Sequence, residues 1–573
     1  MKKILSLLLG LMFVFGFAAC DRGTKNPGGE GGNDVTSIQI LFSGWVNTPT
    51  TSEDPYRAYI RENYGLDVTL NANSDFENAA IMAFNSNELP DIITFPSYTS
   101  FQKFFAQGVL LEDWTPYLEY MPNFTRSLDA DSQASSKQVF TDGDKLTALW
   151  TPADPPTWSL KLREDWLDMF REDKGYDAEW APETPEDLLD FARWVKAQKV
   201  AGVKEFEDVY AFSTAGGGNS LGVLGTWMPL MFGSVTVPAY GFYPTDDGEV
   251  AFGTTDGSYK EFLDYFKIIV EEELIEPAWF TQQYAERQRT YVGKIAIEWS
   301  PGEITKNTDA NLREKQITYA SRGMTPPEGK SENDIIDATN LWETYNLPKK
   351  EGTTNPRAGY MPGTGLAGKV ITVSKATAQN PTKMKKICAL LDDLYCYFDS
   401  EEGVYHRGEA YDALRWGVGA EDGLKFQTIE DSAQVYICTS SERAGLSERY
   451  YREDNSGAWD WGAWFSSTND GVVSGDEPVV NDLVLKVAEH DNKTANMPAL
   501  PQVGDYLSLN ASDLNTMVSD MVAFEYKYVT SKWSAAEALT QYNDYIQKWH
   551  TTLKGDEFLA EAKEQFKALG LYA

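Results

Sequence analysis

The feature that most constrains the fold is an alternation of short apolar runs with amphipathic helical segments between residues 36 and 107. Apolar and β-branched residues dominate three of these runs, which predicts strands, and the segments between them have helical periodicity. Because the connections are short, the pattern favours an α/β layer with a largely parallel sheet. The predicted strands are 37–42, 66–70 and 90–95, and the predicted helices are 54–64, 75–87 and 101–107.

The remaining chain continues this pattern, and its 573 residues exceed what one hydrophobic core usually supports, so we expect two or more lobes. Thr184 and Pro185 form a helix N-terminus, since threonine caps helices and proline suits the first helical position. Ser534 and Glu537 form a capping box. Further predicted elements are strands at 293–297 and 369–373, a helix at 381–398, and a helix whose Tyr542, Tyr545, Ile546 and Trp549 share one face.

The N-terminus has the order of an export signal: two lysines, an uncharged apolar run from Ile4 to Ala19, and then Cys20. We expect residues 1–19 to be a lipoprotein signal peptide and Cys20 to carry the lipid, including the palmitate, although Phe17 stands where leucine is usual. The Gly-rich residues 20–33 read as a flexible tether. This predicts a lipid-anchored protein on the extracytoplasmic face of the cell membrane. The alternative is a cleaved secretory signal with a chance cysteine.

The composition is that of a folded, strongly acidic protein. An apolar content of 42% and 17 tryptophans argue against an acidic disordered chain. The formal net charge of −36 excludes nucleic acid and anionic lipid surfaces as partners, because no basic stripe offsets it. It also disfavours a strongly anionic ligand, although a local arginine or lysine could still hold one.

The chain is poor in catalytic and metal-binding parts. With Cys20 lipidated, Cys388, Cys396 and Cys438 form neither a disulfide framework nor a zinc site. The three histidines lie far apart in sequence, and the calcium-like start at Asp129 lacks the rest of that loop. We therefore expect no metal and no cofactor.

One short motif, Gly218 to Gly222, fits the G-x-S-x-G pattern of a nucleophile elbow around Ser220. Such an elbow needs a sharp strand-to-helix turn with an acid and a histidine downstream. Since Gly216 and Gly217 stand directly upstream, a flexible loop is the better interpretation, and we expect no catalytic residue here.

Aromatic residues at predicted strand ends are the most informative chemical feature. In open α/β sheets the ligand cleft lies outside the carboxyl ends of the strands. A sugar offers an apolar C–H face and a rim of hydroxyls, which suits aromatic rings with polar neighbours. The alternatives are core packing for each ring and, for the glutamate, a structural ion pair. The candidate ligand-binding residues are Trp45, Phe95, Tyr98, Trp150, Trp227, Glu298, Trp299, Arg415 and Trp416.

Several short motifs, in this order, resemble the large lipoprotein branch of the family 1 extracellular solute-binding proteins of sugar ABC importers. The resemblance covers most of residues 36–570. It departs from the family at Asp168–Phe170, where Leu-Gly is usual, and region 440–500 matches nothing in that pattern. The matching pieces include Pro90–Ile93, Gln107–Leu111, Leu162–Leu167, Thr184–Pro185, Leu274–Pro277 and Gly293–Ala296.

The resemblance implies an α/β, two-lobe periplasmic-binding-protein-like fold with a ligand cleft between the lobes. Lobe one would take residues 34–155 and 315–385, and lobe two would take 156–314 and 386–573. The implied function is to bind a carbohydrate, an oligosaccharide above all, between closing lobes and to deliver it, as a monomer and without catalysis, to the permease subunits of an ABC transporter. A cell-surface carbohydrate-active hydrolase or esterase and an adhesion or scaffold lipoprotein are the rival functions.

Overall fold

The structure is a computed structural model. It describes residues 35–44, 55–86, 88–128, 134–151, 156–235, 241–245, 248–255, 257–363, 365, 367–399, 404–407, 410–411, 425–428, 434–439, 465, 472–475, 482–500 and 502–571. The predicted signal peptide and tether, Cys20, Trp45, Arg415 and Trp416 lie outside these residues.

The elements alternate between strands and helices over most of the described chain. The strands are β1 (Thr36–Ser43), β2 (Leu66–Asn73), β3 (Ile92–Phe95), β4 (Thr141–Asp142), β5 (Lys145–Leu146), β6 (Leu149–Trp150), β7 (Ser159–Arg163), β8 (Tyr210–Phe212), β9 (Phe242–Pro244), β10 (Val250–Phe252), β11 (Ile295–Ser300), β12 (Trp342–Tyr345), β13 (Met361–Pro362), β14 (Val370–Val373), β15 (Cys396–Asp399), β16 (Val404–Arg407), β17 (Lys425–Thr428), β18 (Gln434–Thr439), β19 (Val472–Gly475) and β20 (Ala499–Leu500).

Helices follow most of the longer strands. They are α1 (Pro55–Tyr64), α2 (Phe76–Asn85), α3 (Tyr98–Phe105), α4 (Pro122–Ser127), α5 (Ala134–Val139), α6 (Glu164–Lys174), α7 (Pro185–Val200), α8 (Leu224–Phe232), α9 (Gly257–Glu271), α10 (Gln288–Tyr291), α11 (Ile304–Glu314), α12 (Tyr319–Arg322), α13 (Lys375–Ala378), α14 (Pro381–Asp393), α15 (Asp482–Ala495), α16 (Ala511–Thr530), α17 (Ala535–Thr551) and α18 (Gly555–Ala568). None of them is both long and apolar enough to cross a membrane.

The first lobe is built on a five-stranded sheet in the order β2-β1-β3-β14-β6. Strand β1 pairs in parallel with β2 and β3, whereas β14 runs antiparallel to β3 and β6. All four residues of β3 are buried, because helices cover both faces of the sheet. The core includes Ile40 of β1, Phe101 and Phe104 of α3, and Ile387 of α14. The α/β layer predicted for residues 36–107 is confirmed.

The second lobe is built on a four-stranded sheet in the order β12-β7-β11-β8. Here β7 runs antiparallel to both β11 and β12, and β8 runs parallel to β11. Every residue of β7 and β11 is buried, and three of these residues carry charge: Lys161, Arg163 and Glu298. The core around this sheet draws on α6 to α9, with Trp166, Phe191 and Trp227 at its centre.

Two chain segments lie in the other lobe from the one expected. Strand β12 falls within 315–385, predicted for lobe one, yet Trp342 pairs with Arg163 in the second sheet. Helix α14 reaches past residue 386, where lobe two was expected, yet Ile387 and Leu390 pack in the first core. The apolar stripe of α14 covers the first sheet, so the chain stays in the first lobe to the end of that helix.

The last helices of the chain contact both lobes. Tyr528 of α16 and Tyr542 of α17 belong to the second core, whereas Leu569 and Leu571 pack on the first. The remaining apolar faces form a core of their own with β9 and β10, in which Trp549 stacks on Phe252. The predicted capping box at Ser534 is confirmed. Its helix buries Tyr542, Tyr545 and Trp549, as expected from their spacing.

Candidate ligand-binding site

The chain crosses between the two lobes at one edge of each sheet, and the strand registers define which edge this is. In the first sheet Trp150 lies opposite Val370, which lies opposite Phe95 on its other side. Strands β6 and β3 therefore end at the edge where β14 begins. In the second sheet Ser159 lies opposite Ser300, so β7 begins at the edge where β11 ends. Strand β12, antiparallel to β7, ends at that edge too.

Two of the chain crossings between the lobes consequently join a carboxyl edge to a carboxyl edge. One runs from β6 to β7 and the other from β12 to β14. The first crossing spans only residues 151–158, which extend to at most about 29 Å at roughly 3.6 Å per residue. The carboxyl ends of β3 and β11 thus lie on the sides of the two lobes that face the crossings, where open α/β sheets bind ligands.

The first-lobe edge contains a cavity of about 500 Å³. This is a volume typical of small-molecule sites. The turn after β3 and the first half of α3 form one wall, and the crossing into β14 forms another. The segment before α16 closes the third side. The lining includes Ser97, Tyr98, Thr99, Ser100 and Lys103, followed by Gly365, Ala367 and Gly368, and then Tyr506, Leu507, Ser508 and Leu509.

Two tyrosines dominate this cavity. The rings of Tyr98 and Tyr506 lie 5.2 Å apart at 44°. The Tyr506 hydroxyl accepts a hydrogen bond from the backbone N–H of Ala367 at 2.8 Å, which fixes it against the crossing segment. The Tyr98 hydroxyl accepts from Gln102 Nε2 at 2.7 Å, and burial raises the pKa of Tyr98 to about 12. The Tyr98 phenol therefore stays neutral at physiological pH, and both tyrosines present ring faces with polar tips.

The start of α3 adds polar groups to the same cavity. Ser97 caps the helix by accepting from the backbone N–H of Ser100 at 3.2 Å. The Ser100 hydroxyl, which is buried, has no hydrogen-bond partner among the described residues, and neither does that of Thr94 at the end of β3. Buried polar groups are rarely left unpaired, so the Ser100 hydroxyl in the lining of this cavity marks a polar ligand site.

The second-lobe edge carries a second pair of rings. Trp158 immediately precedes β7, and its ring lies 6.2 Å from that of Tyr284. Tyr284 belongs to a loop that pairs with the Gly-rich turn after β8: Gly217 N–H donates to Gln282 O, and Gly218 N–H donates to Phe280 O. Because β8 and β11 are parallel, this loop pair lies at the carboxyl edge of the sheet.

Glu298 lies beneath these rings in a buried ion pair. Its Oε1 accepts from Arg287 Nη1 at 2.5 Å, and its Oε2 accepts from the hydroxyl of Thr290 at 3.2 Å. Both members of the pair are completely buried. Burial raises the pKa of Glu298, although Arg287 opposes the shift. The ion-pair alternative for Glu298 is the one that the geometry supports.

Four other candidate rings are core residues in this structure. Phe95 packs against Phe76, Phe101 and Phe104, and Trp150 stacks on Phe140 at 4.9 Å. Trp227 and Trp299 stack on one another at 5.5 Å inside the second core. Trp299 is 3% exposed and the other three rings are completely buried. Phe95, Trp150 and Trp299 lie at strand ends as expected, whereas Trp227 lies within α8, and all four side chains pack inside the lobes. Of the described aromatic candidates, Tyr98 is the one that lines the first-lobe cavity.

The sequence reasoning missed Tyr506, Trp158, Tyr284 and Arg287. Trp158 could have been found, since it directly precedes the strand that enters the second lobe. Tyr506 lies far along the chain from Tyr98, whereas Tyr284 and Arg287 lie in an irregular segment shortly before β11. Nothing in their local sequence indicates which sheet edge they reach.

Ser220 lies in a loop, and its hydroxyl bonds to backbone groups of that loop. Its hydroxyl donates to Gly216 O and accepts from Gly222 N–H, each at 3.1 Å. His490 is buried against Thr344, and His550 contacts Asp556, so neither approaches it as a base. Among the residues that the structure describes, no group of three or more His, Cys, Asp or Glu could hold a metal ion.

No protein family matches the chain by sequence, and no curated protein matches it closely enough to count. Solved structures do match. An HMO-binding, ABC-transporter-associated solute-binding protein from Bifidobacterium longum infantis superposes with a TM-score of 0.61 at 14% identity, over 93% of this chain and 98% of that one. An ABC-transporter substrate-binding protein from S. pneumoniae in complex with kestose gives 0.52 at 14% identity, over 94% and 100%.

At this level of identity the likeness concerns architecture alone, but it covers nearly the whole of both chains. Together with the two sheets and their connections, this likeness confirms the expected fold class. The chain therefore has the two-lobe α/β fold of the ABC-transporter solute-binding proteins.

Proposed function

We propose that this protein is the solute-binding component of an ABC importer and that it binds a carbohydrate, an oligosaccharide above all, between its two lobes. The observation that carries the proposal is the pair of carboxyl edges, each with aromatic rings beside polar groups. Tyr98 and Tyr506 supply the rings in the first lobe, and Trp158 and Tyr284 supply them in the second. Such surfaces suit a sugar, whose C–H faces stack on rings while its hydroxyls bind polar atoms.

Binding and release need no covalent step. The lobes close about the two crossings, the ligand excludes water from both edges, and the closed form is recognised by the permease. The lipid at Cys20 holds the monomeric protein on the outer face of the membrane, within reach of that partner. The two matched structures described above, one HMO-binding and one bound to kestose, support a carbohydrate ligand.

The test is a thermal-shift and calorimetry screen of the full chain against mono- and oligosaccharides. At least one sugar should raise Tm. Tyr98→Ala and Trp158→Ala should each weaken that sugar by about 5- to 150-fold, the range for losing a large ring from a contact. Tyr176→Ala is the matched control. The Tyr176 ring is exposed and stacks on Trp180, away from the two carboxyl edges.

Two outcomes would overturn the proposal. One is the absence of binding to every sugar of the panel, or binding to a sugar that is weakened by neither Tyr98→Ala nor Trp158→Ala. The other is hydrolysis of esters or glycosides that Ser220→Ala abolishes, because a binding protein has no such turnover to lose.

The anchor is tested separately in cells. Cys20→Ser should leave an uncleaved precursor or release the protein, since no other residue takes the acyl chains. A Cys20→Ser protein that remains processed and membrane-bound would contradict the lipoprotein assignment.

A further inference from the structure

Arg287 is completely buried near the second-lobe edge, and only part of its guanidinium group has an acceptor. Its Nη1 donates to Glu298. Its Nε and Nη2 are buried and have no hydrogen-bond partner among the residues that the structure describes. Leaving charged donors unpaired away from water is costly, so a second acceptor is to be expected in the functional state.

In three other arginines of this chain, the Nε and Nη2 edge of the guanidinium group binds a carboxylate. Arg57 donates from Nε and Nη2 to the two oxygens of Asp67, both at 2.7 Å. Arg193 binds Glu272 in the same way at 2.7 and 2.7 Å, and Arg163 binds Asp165 at 2.8 and 2.6 Å. This two-pronged geometry is the one in which arginine matches a carboxylate best. Arg287 presents the same fork without a protein carboxylate on it.

Tyr284 covers one face of this guanidinium group. The Tyr284 ring lies over the guanidinium, with the Arg287 Cζ 4.2 Å from the ring centroid. Tyr284 is 46% exposed, whereas Glu298 and Thr290 on the other side are completely buried. It lies in a single 3-10 turn, Tyr284–Glu286, that a small backbone shift can move. The ring of Trp158 stands beside it, so a sugar stacked there has its substituents close to Arg287.

We infer that the Nε and Nη2 edge of Arg287 binds the carboxylate of an acidic sugar residue, such as a uronic acid, in the second-lobe half of the site. The inference rests on the proposed function and specifies its ligand class. A chain with a net charge of −36 repels anions at long range, so selection of an acidic sugar requires a local cation. A guanidinium shielded from water provides a stronger attraction than an exposed one.

The test compares matched neutral and acidic ligands on the full chain by calorimetry. The panel pairs each neutral oligosaccharide with its counterpart oxidised to the carboxylate at C6, for example galactobiose with digalacturonate. The wild type should bind the acidic member of a pair more tightly. Arg287→Lys should weaken acidic-sugar binding by about 10- to 150-fold, because lysine keeps the charge beside Glu298 but loses the fork.

Two controls separate specificity from folding. Binding of the neutral counterpart should change less than threefold in Arg287→Lys. Arg289→Lys should leave both ligands unaffected, since Arg289 already bonds Asp208 and Glu276. The wild-type comparison of paired ligands needs no variant, so it tests the predicted ligand class even where Arg287→Lys fails to fold.

The results that would overturn this inference differ from the result that would overturn the proposed function. A wild type that binds neutral sugars as well as or better than their acidic counterparts overturns this inference and leaves the proposed function standing. An acidic preference that survives Arg287→Lys also overturns it. A panel in which no sugar binds overturns the proposed function and this inference with it.

Discussion

The two sheets solve the same structural problem with different chemistry. Strands β1, β3, β6 and β14 of the first sheet contain no charged residue. Strands β7 and β11 of the second bury Lys161, Arg163 and Glu298. Apolar strands are the ordinary content of a covered α/β sheet, so β7 and β11 bear a desolvation cost that these strands of the first sheet avoid. In these strands, therefore, the first sheet provides apolar packing alone, whereas the second sheet also provides buried charged groups.

A helix from late in the chain extends this polar network. In α15, the His490 Nδ1 lies 2.7 Å from the hydroxyl of Thr344, which accepts from Lys161 Nζ at 2.6 Å. Asp491 accepts from the backbone N–H of Gly302 at 2.9 Å. Burial lowers the pKa of Lys161 to about 7 and raises that of Asp491 to about 6. The docking of α15 on the second lobe therefore depends on protonation, with no counterpart in the strands of the first sheet.

The largest expected contrast comes from deleting one buried polar group on each sheet. Glu298→Ala should destabilise the protein by about 3–5 kcal/mol, because it leaves Arg287 buried without its partner. Thr94→Val should cost less than about 1 kcal/mol, since the Thr94 hydroxyl has no partner to lose among the described residues. Urea unfolding of both variants without ligand measures this. Equal losses would mean that the two sheets do not differ as described.

A pH titration tests the same contrast at intermediate size. Burial and the nearby cations, led by Lys161 and Lys486, lower the pKa of His490 to about 2, against 6.5 when unfolded. Below about pH 6.5 the unfolded chain takes up a proton that the folded chain does not. The contribution of His490 to the free energy of unfolding should therefore fall by about 1 kcal/mol between pH 7 and pH 5.5.

His490→Asn isolates that contribution, because Asp491, whose pKa is raised, acts in the opposite direction between about pH 4 and pH 6 and is present in both proteins. The wild type should lose more stability than the variant as the pH falls from 7 to 5.5. Identical pH profiles for the two proteins would place His490 in contact with water and remove it from the buried network.

The smallest effect compares helix caps, where the two lobes should behave alike. Ser97 caps α3 in the first lobe and Thr184 caps α7 in the second. Ser97→Ala and Thr184→Ala should each cost about 1 kcal/mol, since a cap works locally and independently of the sheet. Thermal unfolding measures both. A loss of stability in only one of the two variants would show that the helix caps, like the sheets, differ between the lobes.

The success of the sequence analysis follows the range of the interactions involved. The first α/β layer, the cap at Thr184 and the capping box at Ser534 depend on neighbouring residues, and all three are confirmed. The helix predicted for 381–398 ends at Asp393, because Cys396–Asp399 pairs as a strand with Val404–Arg407. That pairing involves a second segment, which local periodicity does not indicate.

The candidate site was harder to predict than the fold. A strand end identifies the right edge but not the direction of the side chain, so Phe95 and Trp150 were chosen although they point into the core. The ring opposite Tyr98 comes from Tyr506, a contact across more than 400 residues. Such contacts arise only once both lobes and the last helices are assembled.

The most direct test of the central claim is hydrogen exchange of the full chain with and without a sugar identified by calorimetry. Ligand held between the two carboxyl edges should slow exchange at 96–103 in the first lobe and at 279–287 in the second together, and leave α7 unchanged. Protection confined to one lobe, or at neither segment, would contradict a site built from both edges.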